Sequence, residues 1–554
     1  MILSWPQRRL RRPARGRAAA IVTVLIALIV LAPIATLAWF ALDSDFGHWS
    51  HLANYVLPQA LANTLLLLAG VGVLVTLLGT GSAWLVTAYR FPGRQMLTWA
   101  LLLPLAVPTY IVAFAYLDLL HPIGPIQTAL RAVLGFDSPR QFRLPDLRSL
   151  PGAIFVLGFV LYPYVYLSTR VMFMSQAASL MEAARTLGAT RAEAFRRIAL
   201  PMARPAIAVG LSLALLETLN DIGASEFLGV PTLTVAVYTT WITRSDLAGA
   251  AQLALTTLAI IVALILLERH ARRRQRYANT QRMRPMPPRP LRGAQAALAL
   301  ALGLIPVVIG FVAPVSYLVA ETWARLHRVG GVSDALLGGL RNTLTVALAA
   351  TVLTVACGLV VGWASRTLRE GGGIDPVRAC ARVASLGYAV PGTVLAIGLM
   401  TPFIAIDRLL GATFGTTGLV MMGSVTALVI TCTIRFLAIS AGSVDAALTR
   451  IPPSLEQASR LLGETAGGTL RRVHLPLLRP ALAAAALLVF VDTMKELPAT
   501  LLLRPLNFDT LATWLYAEAA RGTYEEGAVA ALLIVLAGLL PVMLLARTQL
   551  KIGR

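Results

Sequence analysis

Apolar runs of bilayer-spanning length recur along this chain near 18–42, 62–89, 95–120, 151–175, 205–229 and 246–268, and again near 295–320, 342–365, 381–405, 414–440, 480–503 and 526–547. A helix needs about 20 predominantly apolar residues to cross the hydrocarbon. Inside lipid every backbone N–H and C=O must find a partner within the protein, so segments of this length read as helices. The pattern predicts an all-α membrane protein of about 12 transmembrane helices in two sets of six. Composition agrees: 13% of the residues are charged and the mean hydropathy is +0.73, against roughly 25% charged in a soluble domain.

The formal charge of +22 does not point to nucleic acid. A nucleic-acid binder gathers basic residues on one face, whereas here they lie in short clusters between apolar runs, as positive-inside topology requires. Residues 1–17 hold Arg8, Arg9, Arg11, Arg12, Arg15 and Arg17. The apolar run that follows exceeds the roughly 7 to 15 residues of a signal-peptide core, so it reads as an uncleaved first helix. Residues 18–268 form a first half and 295–547 a second. Between them, 269–294 is rich in arginine and proline and reads as a cytoplasmic linker; 548–554 is a cytoplasmic tail. Both termini are expected inside. The outside segment 121–150 is unusually basic, and its prolines with Asp137 and Asp146 suggest a small folded excursion. Cys357, Cys380 and Cys432 have no short spacing, so neither a disulfide framework nor a metal knuckle is expected. His48 and His51, beside Asp43 and Asp45, read as solvated loop residues, and no metal site is assigned.

The two halves repeat one another. Glu182-Ala183-Ala184, Gly188, Ile198 and Leu200-Pro201 return at a constant offset of 275 as Gln457-Ala458-Ser459, Gly463, Val473 and Leu475-Pro476. Asn63-Thr64, expected to open the second span, returns as Asn342-Thr343, and Pro108 as Pro391. In each copy of the signature a helical turn should end at the glycine, a natural C′ residue, and a second short helix should end at Pro201 or Pro476. The product is an amphipathic knob flanked by arginines, suited to a partner's groove. An interfacial helix lying on anionic headgroups is the plainer reading, but two copies with one internal spacing favour docking.

These segments resemble the Glu-Ala-Ala loops of ATP-binding-cassette importer permeases, and the resemblance covers nearly the whole chain. It implies a type I importer permease fold, with 177–204 and 450–479 as the loops that seat in two copies of an ATPase subunit. Glu182, Ala183, Ala184, Gly188 and Pro201 carry the first loop, and Gln457, Ala458, Ser459, Gly463 and Pro476 the second. The second departs from the motif at Gln457 and Ser459, with Glu456 one residue earlier. No Walker A loop is present: the only lysines, Lys495 and Lys551, follow Met494 and Leu550. ATP and Mg are therefore expected on partner subunits, with no cofactor and no catalytic residue in this chain. An extracytoplasmic binding protein is the other implied partner.

Acidic residues interrupt the fifth apolar run of each half: Glu217 and Asp221, then Asp492 and Glu496, again offset by 275. A charge at mid-membrane costs about 2.5 to 3.5 kcal/mol. The i, i+4 spacing would set each pair on one helical face, either lining a pathway between the halves or pairing internally with Lys495, Asn220 or an arginine. The stretches Glu226–Thr232 and Lys495–Pro505, followed by Asn507–Ala512, are similar to the fused permeases of ferric iron importers. Thiamine, polyamine, phosphonate or sulfate are alternative cargoes within the same role. A gradient-driven secondary transporter, with the four acids as a relay, fits twelve spans but has no use for two docking loops.

Overall fold

The structure, a computed structural model, describes residues 17–43, 49–175, 184, 186–273, 288–367, 376–384, 386–415 and 418–552. The first half contains α1 (Arg17–Asp43), α2 (Leu57–Ala88), α3 (Arg94–Ala100), α4 (Thr109–Leu119), α5 (Pro125–Leu134) and α6 (Leu150–Ser175). It continues with α7 (Leu200–Asn220), α8 (Gly223–Phe227), α9 (Leu233–Ile242) and α10 (Leu247–Arg273). The second half runs through α11 (Gly293–Val307), α12 (Ala313–Val329), α13 (Asp334–Thr367), α14 (Pro376–Ala384), α15 (Gly392–Phe414) and α16 (Val425–Leu448). Its last helices are α17 (Pro453–Leu461), α18 (Leu475–Met494), α19 (Pro498–Leu503), α20 (Leu511–Arg521) and α21 (Tyr524–Ile552). Among the described residues eleven helices are long and apolar enough to cross a membrane; α3 and α4, bent by 92°, make a twelfth crossing when counted as one. The fold is that of an all-α membrane protein in two repeated halves.

Each bend in the apolar runs has a local cause. Val107 and Val390 are extended, the conformation that a following proline favours. Pro108 and Pro391, both at ψ 144, then start α4 and α15. The fifth runs end earlier than their hydropathy suggests: α7 stops at Asn220 and α18 at Met494, and the polypeptide turns before α8 and α19. The expected excursion at 121–150 contains α5, stapled by the buried Gln127, whose side chain donates to the Leu120 carbonyl at 2.6 Å and accepts from the Leu144 N–H at 3.0 Å. Helix α10 carries the chain to Arg273, past the expected start of the linker. At the linker's other end, Arg289-Pro290 pairs as a short parallel strand with Tyr89-Arg90.

Asn63-Thr64 and Asn342-Thr343 lie inside α2 and α13 rather than at their starts. Each pair fastens the loop that follows the short helix of its half. Asn63 donates to the Pro231 carbonyl at 3.2 Å and Thr64 accepts from the Leu233 N–H at 2.9 Å. Asn342 donates to the Asp509 carbonyl at 3.0 Å and Thr343 accepts from the Leu511 N–H at 2.8 Å.

The halves exchange their first helices. Val30 and Leu37 of α1 are buried with Val394, Ile397 and Phe403 of α15, and the Thr36 hydroxyl donates to the Gly398 carbonyl. Reciprocally, Ala296, Ala299 and Val307 of α11 share a core with Leu97 and Leu101, and the Tyr116 hydroxyl donates to the Ile309 carbonyl at 2.7 Å. Membrane helices associate through close packing more than through a hydrophobic drive. Gly398 meets the Pro33 backbone so closely that a Cβ would overlap its carbonyl oxygen.

Candidate functional site

Two features repeat with the halves: a glycine-cornered loop and a broken helix that turns over a carboxylate. In the loops, Gly188 and Gly463 adopt φ +89° and +87°, the left-handed region that glycine enters without strain. Both close the same six-residue hydrogen bond, from the Ala189 N–H to the Ala184 carbonyl at 3.0 Å and from the Glu464 N–H to the Ser459 carbonyl at 3.1 Å. With Gly463 N–H donating to Arg460 at 3.0 Å, the second loop is a Schellman ending. Glu182 and Ala183 lie outside the described residues. Gln457 and Ala458 are exposed on α17. Leu187 and Leu462, at equivalent positions beside the glycines, are 88% and 85% exposed.

After the corner each chain makes a short helix and a π-helical turn, Phe195–Ala199 and Leu470–His474, that runs directly into α7 or α18. Pro201 and Pro476 therefore do not end these helices, as the sequence had suggested. They sit in the first turn of α7 and α18. A π turn interrupts the ordinary hydrogen-bond ladder, and a first turn does not need the N–H that proline lacks.

The two loops are stiffened differently. In the first, Glu193 accepts from the Thr190 N–H at 2.8 Å while Thr190 caps Glu193 at 3.3 Å, a capping box that holds Glu193 below the usual carboxylate range. In the second, Gly468 replaces Glu193, and Glu464 instead pairs with Arg472 at 2.5 Å. The departure at Ser459 has a partner: its Oγ lies 2.9 Å from Thr469 Oγ1, where the first loop has Ala184 and Ala194. Glu456 faces inward to Arg366 Nε at 2.9 Å and His474 Nε2 at 3.1 Å, so it anchors the loop to the end of α13.

The four acids of the fifth runs line one cavity of about 140 Å³ between the halves. They do not pair along helical faces. Asp221 follows the end of α7 in extended conformation (ψ 116°), and Glu496 lies beyond Lys495, the C-cap of α18. Each caps the next short helix: Asp221 Oδ1 accepts from the Ala224 N–H at 2.7 Å, and Glu496 accepts from the Ala499 and Thr500 N–H groups at 2.9 Å each. Thr109 also donates to Asp221. Asp492 pairs with Lys495 at 2.9 Å, and Glu217 accepts from the Tyr388 hydroxyl of the other half at 3.0 Å.

Sequence reasoning missed Arg435, which pairs with the buried Glu496 at 2.5 Å. An arginine within the apolar run 414–440 was itself the signal. It also missed the tyrosines: Tyr110, Tyr164 and Tyr388 line the cavity, and nothing in an aromatic residue's position along an apolar run distinguishes lining from packing. Among the described residues no three His, Cys, Asp or Glu side chains converge as a metal cluster. The His51 ring lies tilted against Tyr55, centroids 5.2 Å apart; His48 and Asp45 lie outside the described residues.

Residues 76–277 and 378–549, one segment in each half, match the family described as "Binding-protein-dependent transport system inner membrane component". The chain belongs to this family. It is similar to a Fe(3+)-transport system permease protein of Haemophilus influenzae, 25% identical over 89% of this chain and 91% of that one. A probable ABC transporter permease protein of Sinorhizobium fredii is 26% identical over 97% of this chain and 95% of its own. A sulfate transport system permease protein of Salmonella typhimurium is 28% identical over 37% of this chain and 71% of its own.

As a binding-protein-dependent permease, the protein is a multi-pass inner-membrane transport subunit of the ABC importer class. Family members work with ATPase and binding-protein partners. The two matched segments place both glycine-cornered loops and both broken helices inside the family's region. The exchanged helices α1 and α11 lie outside it.

Proposed function

We propose that this permease forms the path by which ferric iron enters the cell. A binding protein delivers the cargo outside, and two copies of an ABC ATPase bind the loops 177–204 and 450–479, with both termini cytoplasmic. Closure of the ATPases on ATP draws the loops together and opens the halves outward; hydrolysis reverses this. The loops bias a two-state arrangement through contacts that differ between the states.

The observation that carries the cargo reading is the cavity lining. Four carboxylates and three tyrosines from both halves face it, against two cations, Arg435 and Lys495. Oxygen donors suit a hard cation. The excess of carboxylate disfavours an oxyanion such as sulfate, and the similarity to the Haemophilus Fe(3+) permease runs through both halves. The lining acids are spread around the wall, which suits passage better than storage.

Proteoliposomes holding the permease, its ATPase and its binding protein test this with radioactive ferric iron. ATP-dependent uptake is expected, falling at least about tenfold in Glu217→Gln/Asp492→Asn with assembly intact. Uptake of sulfate or thiamine in place of iron would remove the cargo assignment. Transport driven by an ion gradient without ATP would remove the mechanism.

A further inference from the structure

A second cavity, of about 590 Å³, opens at the far ends of the spans from the small central one. Its wall includes Arg269, Ser365, Arg366, Arg382, Asp445 and Thr449. Three spans finish at its edge, Leu247–His270, Asp334–Arg366 and Val425–Leu448, which sets it at headgroup depth. Arg269 comes from the first half and the others from the second, so the cavity straddles the fused halves.

Its charge is cationic and partly uncommitted. Arg366 uses all three nitrogens, donating to Glu456 at 2.9 Å, to the Leu448 carbonyl at 2.7 Å and to the Ile451 carbonyl at 2.9 Å. Among the described residues Arg269 and Arg382 have no ion-pair partner, and Asp445 is exposed. Guanidinium groups hold phosphate by paired, charge-assisted hydrogen bonds. Ser365 and Thr449 place hydroxyls on the same wall.

We propose that this cavity binds a phosphate group carrying net negative charge, presented by an anionic phospholipid headgroup or by a soluble phosphate. Arg366, which holds Glu456, is part of this wall, so the ligand sits beside the anchor of the second docking loop. Among the described residues only the second half has this arrangement. The position of Arg366 is Thr87 in the first half, and its hydroxyl donates to the Ala83 carbonyl at 2.6 Å. Phosphate binding is therefore expected beside the second loop and not beside the first. The lipid source rests on the proposed cytoplasmic topology; the binding itself does not.

Native mass spectrometry of the purified full chain, after exchange into bilayer discs of phosphatidylglycerol or phosphatidylcholine, reads the site directly. Phosphatidylglycerol is expected to be retained, with apparent affinity falling about tenfold in Arg269→Gln/Arg382→Gln. Asp445→Asn should raise retention, and Arg408→Gln, at the opposite end of α15, should not change it. Displacement by inorganic phosphate at millimolar concentration identifies the soluble source; retention in its presence identifies the lipid. Equal retention in wild type, the double arginine variant and Asp445→Asn, with no phosphate binding, overturns the proposal. Topology is read separately, from labelling of Thr449→Cys by an impermeant thiol reagent in a chain carrying Cys357→Ser, Cys380→Ser and Cys432→Ser. Labelling only from outside would remove the topology while leaving the retention result standing.

Discussion

Asp221 and Glu496 occupy one position of the repeat and do one local job, capping the helix that follows the break, yet their surroundings differ. Glu496 also neutralises Arg435, whose side chain is 12% exposed, whereas Asp221 is held by Thr109 and backbone N–H groups alone. Removing one partner of a buried ion pair strands the other charge and costs about 3 kcal/mol or more. Glu496→Ala should therefore destabilise the protein by that order, and Glu496→Ala/Arg435→Met should recover much of it. Asp221→Asn keeps an oxygen acceptor at the cap and should cost within about 1 kcal/mol. Chemical unfolding in detergent, followed by tryptophan fluorescence, ranks the variants. These residues were legible as charges where lipid was expected, and their repeat offset was legible too. Their pairing was not: i, i+4 spacing implies a shared face only while the helix continues, and here both helices end first. Pro498, in the first turn of α19, was the local sign of a new start after Glu496.

At the scale of elements, the glycine corners were readable because φ near +90° strongly favours a residue without a Cβ. The π turns beyond them were not, since a single i to i+5 bond leaves no mark in composition. Among the described residues a Cβ at Gly188 or Gly463 would meet nothing within 4 Å. The penalty for substitution is thus purely conformational, about 1 to 2 kcal/mol for a non-glycine residue in this region. Gly188→Val and Gly463→Val should unwind the corner and misplace Leu187 or Leu462, whereas Asn, which tolerates left-handed backbone, should do less harm. Pull-down of the ATPase and ATP-driven uptake measure the loss, at least about tenfold for Val. Among the described residues the second loop is tied at its first helix and just before its π turn, Glu456 to Arg366 and Ser459 to Thr469, so Gly463→Val should do less damage than Gly188→Val. Equal damage would mean those ties do not hold the loop's shape.

For the whole molecule, twelve runs and their repeat offsets revealed the number of halves but not how they interlock. Hydropathy records that a helix faces lipid or protein, and it carries no record of which half supplies the protein. The exchange of α1 and α11 makes each half complete only in the presence of the other, through contacts such as Thr36 with Gly398 and, in the π turn that continues α11, Tyr116 with Ile309. If this packing is enough for association, covalent fusion is not a condition of assembly. Residues 1–280 and 281–554, expressed from separate genes, should therefore co-purify. Gly398→Leu, by pushing α1 from α15, should abolish that co-purification in the split protein while only loosening the fused one, where the linker keeps the local concentration of the halves high. Failure of the unmodified halves to associate would show that the exchanged helices pack only after the linker has brought them together.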